Sequence, residues 1–136
     1  MAEGGAVNCH QVVAAIMIRT ARVLLCHRSP DRAWYPGMWD LPGGHVAAGE
    51  TPHHALGREL REELGIAITI PPEPEFTQLA AADFDCRIWI VTEWTGNPSN
   101  MSPQEHDDVA WWSLSALPSL QLAHPDYPAI VRRALT

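Results

Sequence analysis

Residues 44–66 read GHVAAGETPHHALGRELREELGI. Three acids near the end of this stretch, Glu59, Glu62 and Glu63, stand at i, i+3 and i+4. An α-helix advances about 100° per residue, so the spacing gathers all three on one face, about one turn deep. Like charges placed this way weaken a helix on its own. The pattern therefore implies a cation that makes the repulsion tolerable. Leu56, Leu60 and Leu64 recur every four residues beside the acids and predict a buried stripe. Thr51 predicts the N-cap, Pro52 the first helical position and Gly65 a left-handed C-cap. Gly57 inside the helix costs about 1 kcal/mol against alanine, which predicts close backbone packing there.

Working outward, residues 11–18 (QVVAAIMI) and 22–28 (RVLLCHR) predict two strands joined by a turn near 19–21. Residues 29–44, SPDRAWYPGMWDLPGG, predict a long loop with a short extended piece at 39–41. A loop of that length in a compact domain is usually functional. Beyond the helix, 67–70 starts an extended segment. Residues 76–82 and 87–94 (RIWIVTEW) predict strands of one antiparallel sheet, with 83–86 near the turn. A last short strand is expected at 109–114 (VAWWSL). A C-terminal helix is expected at 126–135, with Tyr127, Ile130, Val131 and Ala134 facing inward. Strands and helices mix without βαβ regularity, so the fold class is α+β, with helices flanking a mixed sheet.

The chain has 136 residues, which fits a single domain, 1–136, around one core. No apolar run approaches the ~20 residues needed to span a bilayer. The start, MAEGGAVNCH, lacks the basic and apolar segments of a signal peptide. Cys9, Cys26 and Cys86 are scattered and form no CxxC pair, which fits a reducing cytoplasm better than a disulfide or zinc-ribbon framework. The net charge is −7 and all nine basic residues are arginine. No basic patch marks a nucleic-acid binder, so large nucleic acids are poor partners. A small phosphorylated ligand fits if metal ions supply the positive charge.

Written as spacing, the stretch is Gly44, five residues, Glu50, seven residues, Arg58-Glu59-Leu60, one residue, Glu62-Glu63, one residue, Gly65-Ile66. It resembles the Nudix box, G-x5-E-x7-R-E-U-x-E-E-x-G-U with U aliphatic, at every defined position. At about 7% usage per residue type, the seven identities arise by chance about once in a hundred million windows. The lead-in Leu41-Pro42-Gly43-Gly44 and the later Trp111-Trp112 are also similar to MutT-like members. One upstream difference is Ala47, where many members carry an acid.

The resemblance implies a Nudix fold, a mixed sheet sandwiched between α-helices. It implies hydrolysis of a nucleoside diphosphate linked to another group. By the same resemblance Glu59, Glu62 and Glu63 hold divalent metal and the Gly43 carbonyl adds a ligand. Arg58 orients the adjacent glutamates, and Glu50 braces the loop against the helix. An acid on a loop before the last strand is a further metal ligand or the base in many members. Glu105 matches it best, with Asp107 and Asp108 close by. Mg²⁺ is the expected ion, with Mn²⁺ the alternative. Glu59 or Glu105 takes the proton from water.

The physical chemistry points the same way. Mg²⁺ is hard and binds through a few carboxylates, waters and substrate phosphates. Two or more ions clamp attacking and leaving oxygens and lower the pKa of bound water. A carboxylate must then accept the proton, and a bidentate arginine holds such a carboxylate in place.

Other residues carry two readings each. Trp34, Tyr35 and Trp39 could stack a base, worth about 1–3 kcal/mol, or pack the loop onto the sheet. Asp40 could bond a base edge or cap a turn. Trp111 reads as core. The adjacent His53 and His54 point about 100° apart on a helix and read as surface residues, and His106 carries only a weak signal. A (d)NTP or oxidised (d)NTP is the expected substrate, cleaved to the monophosphate and pyrophosphate. ADP-ribose or a dinucleoside polyphosphate is the alternative, but residues 81–84, AADF, lack the proline or tyrosine that marks those subgroups. A nucleotide-binding Nudix module without turnover is the reading from another class. Monomer and homodimer both stay open.

Overall fold

The computed structural model describes residues 10–77 and 84–135. Its centre is β1 (His10–Arg19), which pairs parallel with β7 (Phe84–Val91) over eight residue pairs. β1 also pairs antiparallel with β2 (Arg22–Arg28) at one end and with β4 (Gly43–His45) at the other. β2 is flanked by β3 (Trp39–Asp40) and β9 (His106–Ser113), both antiparallel, while β6 (Phe76–Thr77) extends the sheet beyond β7. β5 (Ala67–Ile68) and β8 (Trp94–Thr95) make a separate two-stranded ribbon.

Alternation along the strands builds two cores. Val13, Ala15 and Met17 of β1, with Leu24 and Cys26 of β2, face α1 (Pro52–Leu64). Leu56, Leu60 and Leu64 of α1 are fully buried there, each worth about 1.5–3 kcal/mol. Ala14, Ile16, Val23 and Leu25 point the other way. They meet Leu117 of a 3-10 turn (Leu114–Ser119) and Tyr127, Ile130 and Val131 of α2 (Tyr127–Leu135). The fold is therefore α+β, a mixed sheet between helices. No helix among the described residues is long and apolar enough to cross a membrane.

The caps of α1 follow its local chemistry. Thr51 Oγ1 accepts from the His54 N–H at 3.1 Å, Pro52 opens the helix and Gly65 closes it at φ 72°. The β1–β2 turn puts Thr20 and Ala21 at positive φ, without glycine.

Four expectations need correction. The strand expected at 87–94 already includes Phe84, Asp85 and Cys86, which pair with β1, and it ends at Val91. Trp94 belongs to the separate ribbon. The last strand starts at His106, not 109, since β2 pairs with it past a bulge at His27/Arg28. Gly57 has no close backbone neighbour: a Cβ there would meet only Ile70 Cδ1, at an ordinary 3.5 Å. The expected strand at 76–82 is seen only at Phe76–Thr77; the rest lies outside the described residues.

Gly43 shows where the fold tolerates no side chain. A Cβ there would overlap the Val13 carbonyl oxygen and sit 2.7 Å from Ala14 Cα. Both obstacles are backbone of the central strand and cannot rotate away. Gly43→Ala is expected to lose at least about 3 kcal/mol of stability, as read by urea denaturation.

Candidate functional site

The later turns of α1 lie beside β4, where Glu59 meets Gly44 and Glu63 meets Gly43. Arg58 organises the acids. Its Nε donates to Glu50 Oε2 at 2.7 Å and its Nη2 to Glu50 Oε1 at 2.9 Å, a bidentate pair. Nη1 reaches Glu59 Oε2 at 3.2 Å and Glu62 Oε1 at 3.1 Å, and Nη2 also donates to the His45 carbonyl at 3.1 Å. Glu50 additionally accepts from the Ala47 N–H at 2.9 Å, tying loop to helix, and lies 3.0 Å from His54 Nδ1. Hydrogen bonds from Arg58 and Ala47 draw the Glu50 carboxyl down to about 2.

Glu59 and Glu63 share the inner face of the helix. Glu63 is only 3% exposed, and its Oε1 accepts from the Gly43 N–H at 3.3 Å. Burial pushes its carboxyl well above the usual range, and the neighbouring Glu59 and Glu105 push it further. Burial also raises Glu59, against hydrogen bonding from Glu63 and the charge of Arg58. Two adjacent carboxylates that resist ionising are a pair waiting for positive charge. Their donors are all oxygen, and Glu62, half-exposed beside them, adds another. This set fits a hard divalent ion, the ion that the family resemblance implies.

The acids open onto a cavity of about 270 Å³. Trp34, Tyr35, Asp40, Gly43, Glu59, Glu62, Glu63 and Glu105 all line it. Glu105 is half-exposed, with Oε1 3.4 Å from Arg32 Nη1. Asp40 Oδ1 accepts from the Tyr127 hydroxyl at 2.5 Å and the Leu41 N–H at 2.9 Å, and Oδ2 lies 3.4 Å from Arg28 Nη1. Burial raises this carboxyl despite those partners.

Trp39 departs from its expected place in the pocket. Its ring packs edge-on against His27 and Trp112, at 4.9 and 5.1 Å, and does not line the cavity. Alternation explains this: Asp40 faces the cavity, so its neighbour Trp39 faces away. Trp111 packs against the α1-side core and stacks with Trp94 at 6.0 Å. Asp107, by contrast with Glu105, turns to His27 Nδ1 at 2.5 Å.

The cavity wall holds residues that sequence reasoning passed over: Arg28, Arg32, Cys86, His124 and Tyr127. His106, which carried only a weak signal in the sequence, lines the cavity too and is 4% exposed. Burial, with Arg32 and Arg28 nearby, pushes its imidazole down to about 4, so it is neutral. The signal for His106 in the sequence was its place next to Glu105.

Gly44 leaves room for Glu59. A Cβ there would lie within 2.6 Å of both Glu59 carboxylate oxygens. Gly44→Ala must displace that carboxylate by about 1 Å, a misplacement that can cost about 100-fold in kcat. Because the obstacle is a side-chain end, the fold should lose far less than with Gly43→Ala. Paired kcat and urea measurements check both halves.

Comparison with known proteins agrees with this architecture. The NUDIX domain family model matches residues 9–134. The CTP pyrophosphohydrolase of Escherichia coli K12 is 34% identical over 125 residues, covering 88% of this chain and 87% of the relative. The nucleoside triphosphatase NudI of Enterobacter sp. strain 638 is 44% identical over 126 residues, covering 82% and 86%. The crystal structure of a MutT NUDIX hydrolase from Burkholderia pseudomallei superposes with a TM-score of 0.74 at 30% identity, covering 93% of this chain and 95% of that one. With its complete box on α1 and this fold around it, the chain belongs to the Nudix family and is a MutT-like hydrolase.

Proposed function

We propose that this protein hydrolyses nucleoside triphosphates to the monophosphate and pyrophosphate, using Mg²⁺ held by Glu59, Glu62, Glu63 and the Gly43 carbonyl, with Glu105 as a further ligand or the base. The observation that carries the reading is the pair of buried Glu63 and half-buried Glu59 at the edge of the cavity. Bound Mg²⁺ supplies charge to the phosphate oxygens and makes water a stronger nucleophile.

The chain's own residues do the rest. Arg58 fixes Glu59 and Glu62, and Glu50 fixes Arg58. Arg28 and Arg32 also line the cavity and bring cationic charge to it. Trp34 and Tyr35 offer ring faces to a base, and Asp40 offers an acceptor to an exocyclic amine. Glu59 and Glu105 both reach the cavity and can take the water's proton.

The similarity to a CTP pyrophosphohydrolase and a nucleoside triphosphatase supports a triphosphate substrate. The test incubates the protein with Mg²⁺ and a panel of canonical and oxidised (d)NTPs, ADP-ribose and dinucleoside polyphosphates, with products identified. Monophosphate and pyrophosphate from a triphosphate are expected. Turnover confined to ADP-ribose or dinucleoside polyphosphates would overturn the substrate. Binding without turnover would overturn the enzyme reading.

A further inference from the structure

Behind the carboxylate cluster lies a group of different chemistry. Cys26 on β2, Glu63 on α1 and His106 on β9 each place one ligand-capable atom within 4.8 Å of the other two. These three elements are far apart in sequence and are brought together by the β2–β9 pairing and the packing of α1 on β2. Cys26 is fully buried, Glu63 is 3% exposed and His106 4%.

The imidazole is not satisfied where it sits. Among the described residues its Nδ1 has no hydrogen-bond partner, and its Nε2 is 3.8 Å from Glu63 Oε1, too far for a hydrogen bond. A buried polar nitrogen without a partner is uncommon in a native fold and calls for a ligand or another explanation. A tetrahedral zinc ion, with bonds of about 2.0–2.3 Å, holds its ligands about 3.3–3.6 Å apart. The observed atoms, all within 4.8 Å of one another, need to draw in by at most about 1.5 Å.

We propose that Cys26, His106 and Glu63 bind Zn²⁺ at the inner wall of the cavity, in a site that shares Glu63 with the all-oxygen cluster but differs from it in donor chemistry. Thiolate and imidazole select a borderline ion such as Zn²⁺, whereas Mg²⁺ demands oxygen. The charges also match. One thiolate and one carboxylate cancel a dication, leaving no net charge in a buried place. The thiol is protonated in the free protein, because burial and the nearby Glu63 and Asp40 hold it so. Its proton passes to solvent as the ion enters. Glu63 and His106 line the cavity, which gives the ion a route in and a water for the fourth position. A zinc ion there draws Glu63 away from the phosphate chemistry and inhibits hydrolysis; this consequence rests on the function proposed above, whereas binding does not.

The test uses the full chain in a Cys9→Ser, Cys86→Ser background, titrated with Co²⁺ as a spectroscopic substitute for Zn²⁺, without nucleotide. A thiolate-to-cobalt charge-transfer band with tetrahedral d–d bands is expected at one equivalent, bleached by Zn²⁺ and lost in Cys26→Ser. Absence of the band in the parent, or its persistence in Cys26→Ser, would overturn the site. Should Cys26→Ser not fold, His106→Asn keeps the sulfur and is expected to lose the tetrahedral d–d intensity; an unchanged spectrum would overturn the site. Failure of the hydrolysis reading leaves these spectra untouched. With nucleotide and Mg²⁺, the Zn²⁺ needed for half-inhibition, relative to each protein's own rate, is expected to rise about ten-fold or more in Cys26→Ser. Equal inhibition would overturn the shared use of Glu63.

Discussion

Replacing Glu63 by glutamine is expected to cut kcat on the order of 10³-fold, about 4 kcal/mol of barrier, while raising the Tm of the metal-free protein. The two effects have one origin. Glu63 is buried beside Glu59, and burial together with Glu59 and Glu105 opposes its charge. In the absence of a cation that charge destabilises the fold. Glutamine keeps the shape and can still accept from the Gly43 N–H, but carries no charge. What the variant loses is the charge that a divalent ion needs. A residue kept for packing alone would show lower stability and modest kinetic change. Steady-state kinetics at saturating Mg²⁺ and thermal melts in chelator separate the two cases.

Arg58→Lys is expected to lose activity nearly as severely as Arg58→Ala, about 100-fold. The charge survives in lysine, so a purely electrostatic role would be rescued. Arg58, however, makes a fork to Glu50, separate contacts to Glu59 and Glu62, and one to the His45 carbonyl. An ammonium cannot reproduce the planar fork. The loss should appear as weaker metal affinity, with the Mg²⁺ for half-maximal rate rising, since the carboxylates are no longer aimed. Full rescue by lysine would reduce Arg58 to a point charge. Mg²⁺ titrations of both variants decide.

Helix α1 was legible in detail because its determinants are local. Thr51, Pro52 and Gly65 act within a turn of their own positions, and the spacing of Glu59, Glu62 and Glu63 fixes their common face. Strand ends were less legible, since partners set them. β7 takes in Phe84, Asp85 and Cys86 because β1 pairs with them, and β9 reaches His106 because β2 does. The cavity wall was the least legible part. Arg28, His106 and Tyr127 come from three distant segments that only the sheet and α2 assemble. Tyr127 was expected inward as core, yet its hydroxyl meets Asp40. Trp39 was misplaced by composition: a cluster of aromatics suggested stacking, but alternation with Asp40 turns the ring away from the cavity.

The central claim is that Glu59 and Glu63 are a carboxylate pair held for a divalent cation. Its most direct test is the Tm difference between Glu63→Gln and the parent chain, measured across pH with chelator and again with Mg²⁺. A carboxyl raised in the folded state contributes stability below its unfolded pKa and loses it as pH rises through the folded value. In chelator, the advantage of Glu63→Gln should therefore be absent in acid and grow as pH climbs above the ordinary glutamate range. Groups common to both proteins, such as His106 and Glu50, largely cancel in the difference. Mg²⁺ should raise the parent's Tm at neutral pH and shrink or reverse that advantage. A difference that is flat with pH and indifferent to Mg²⁺ would contradict the claim.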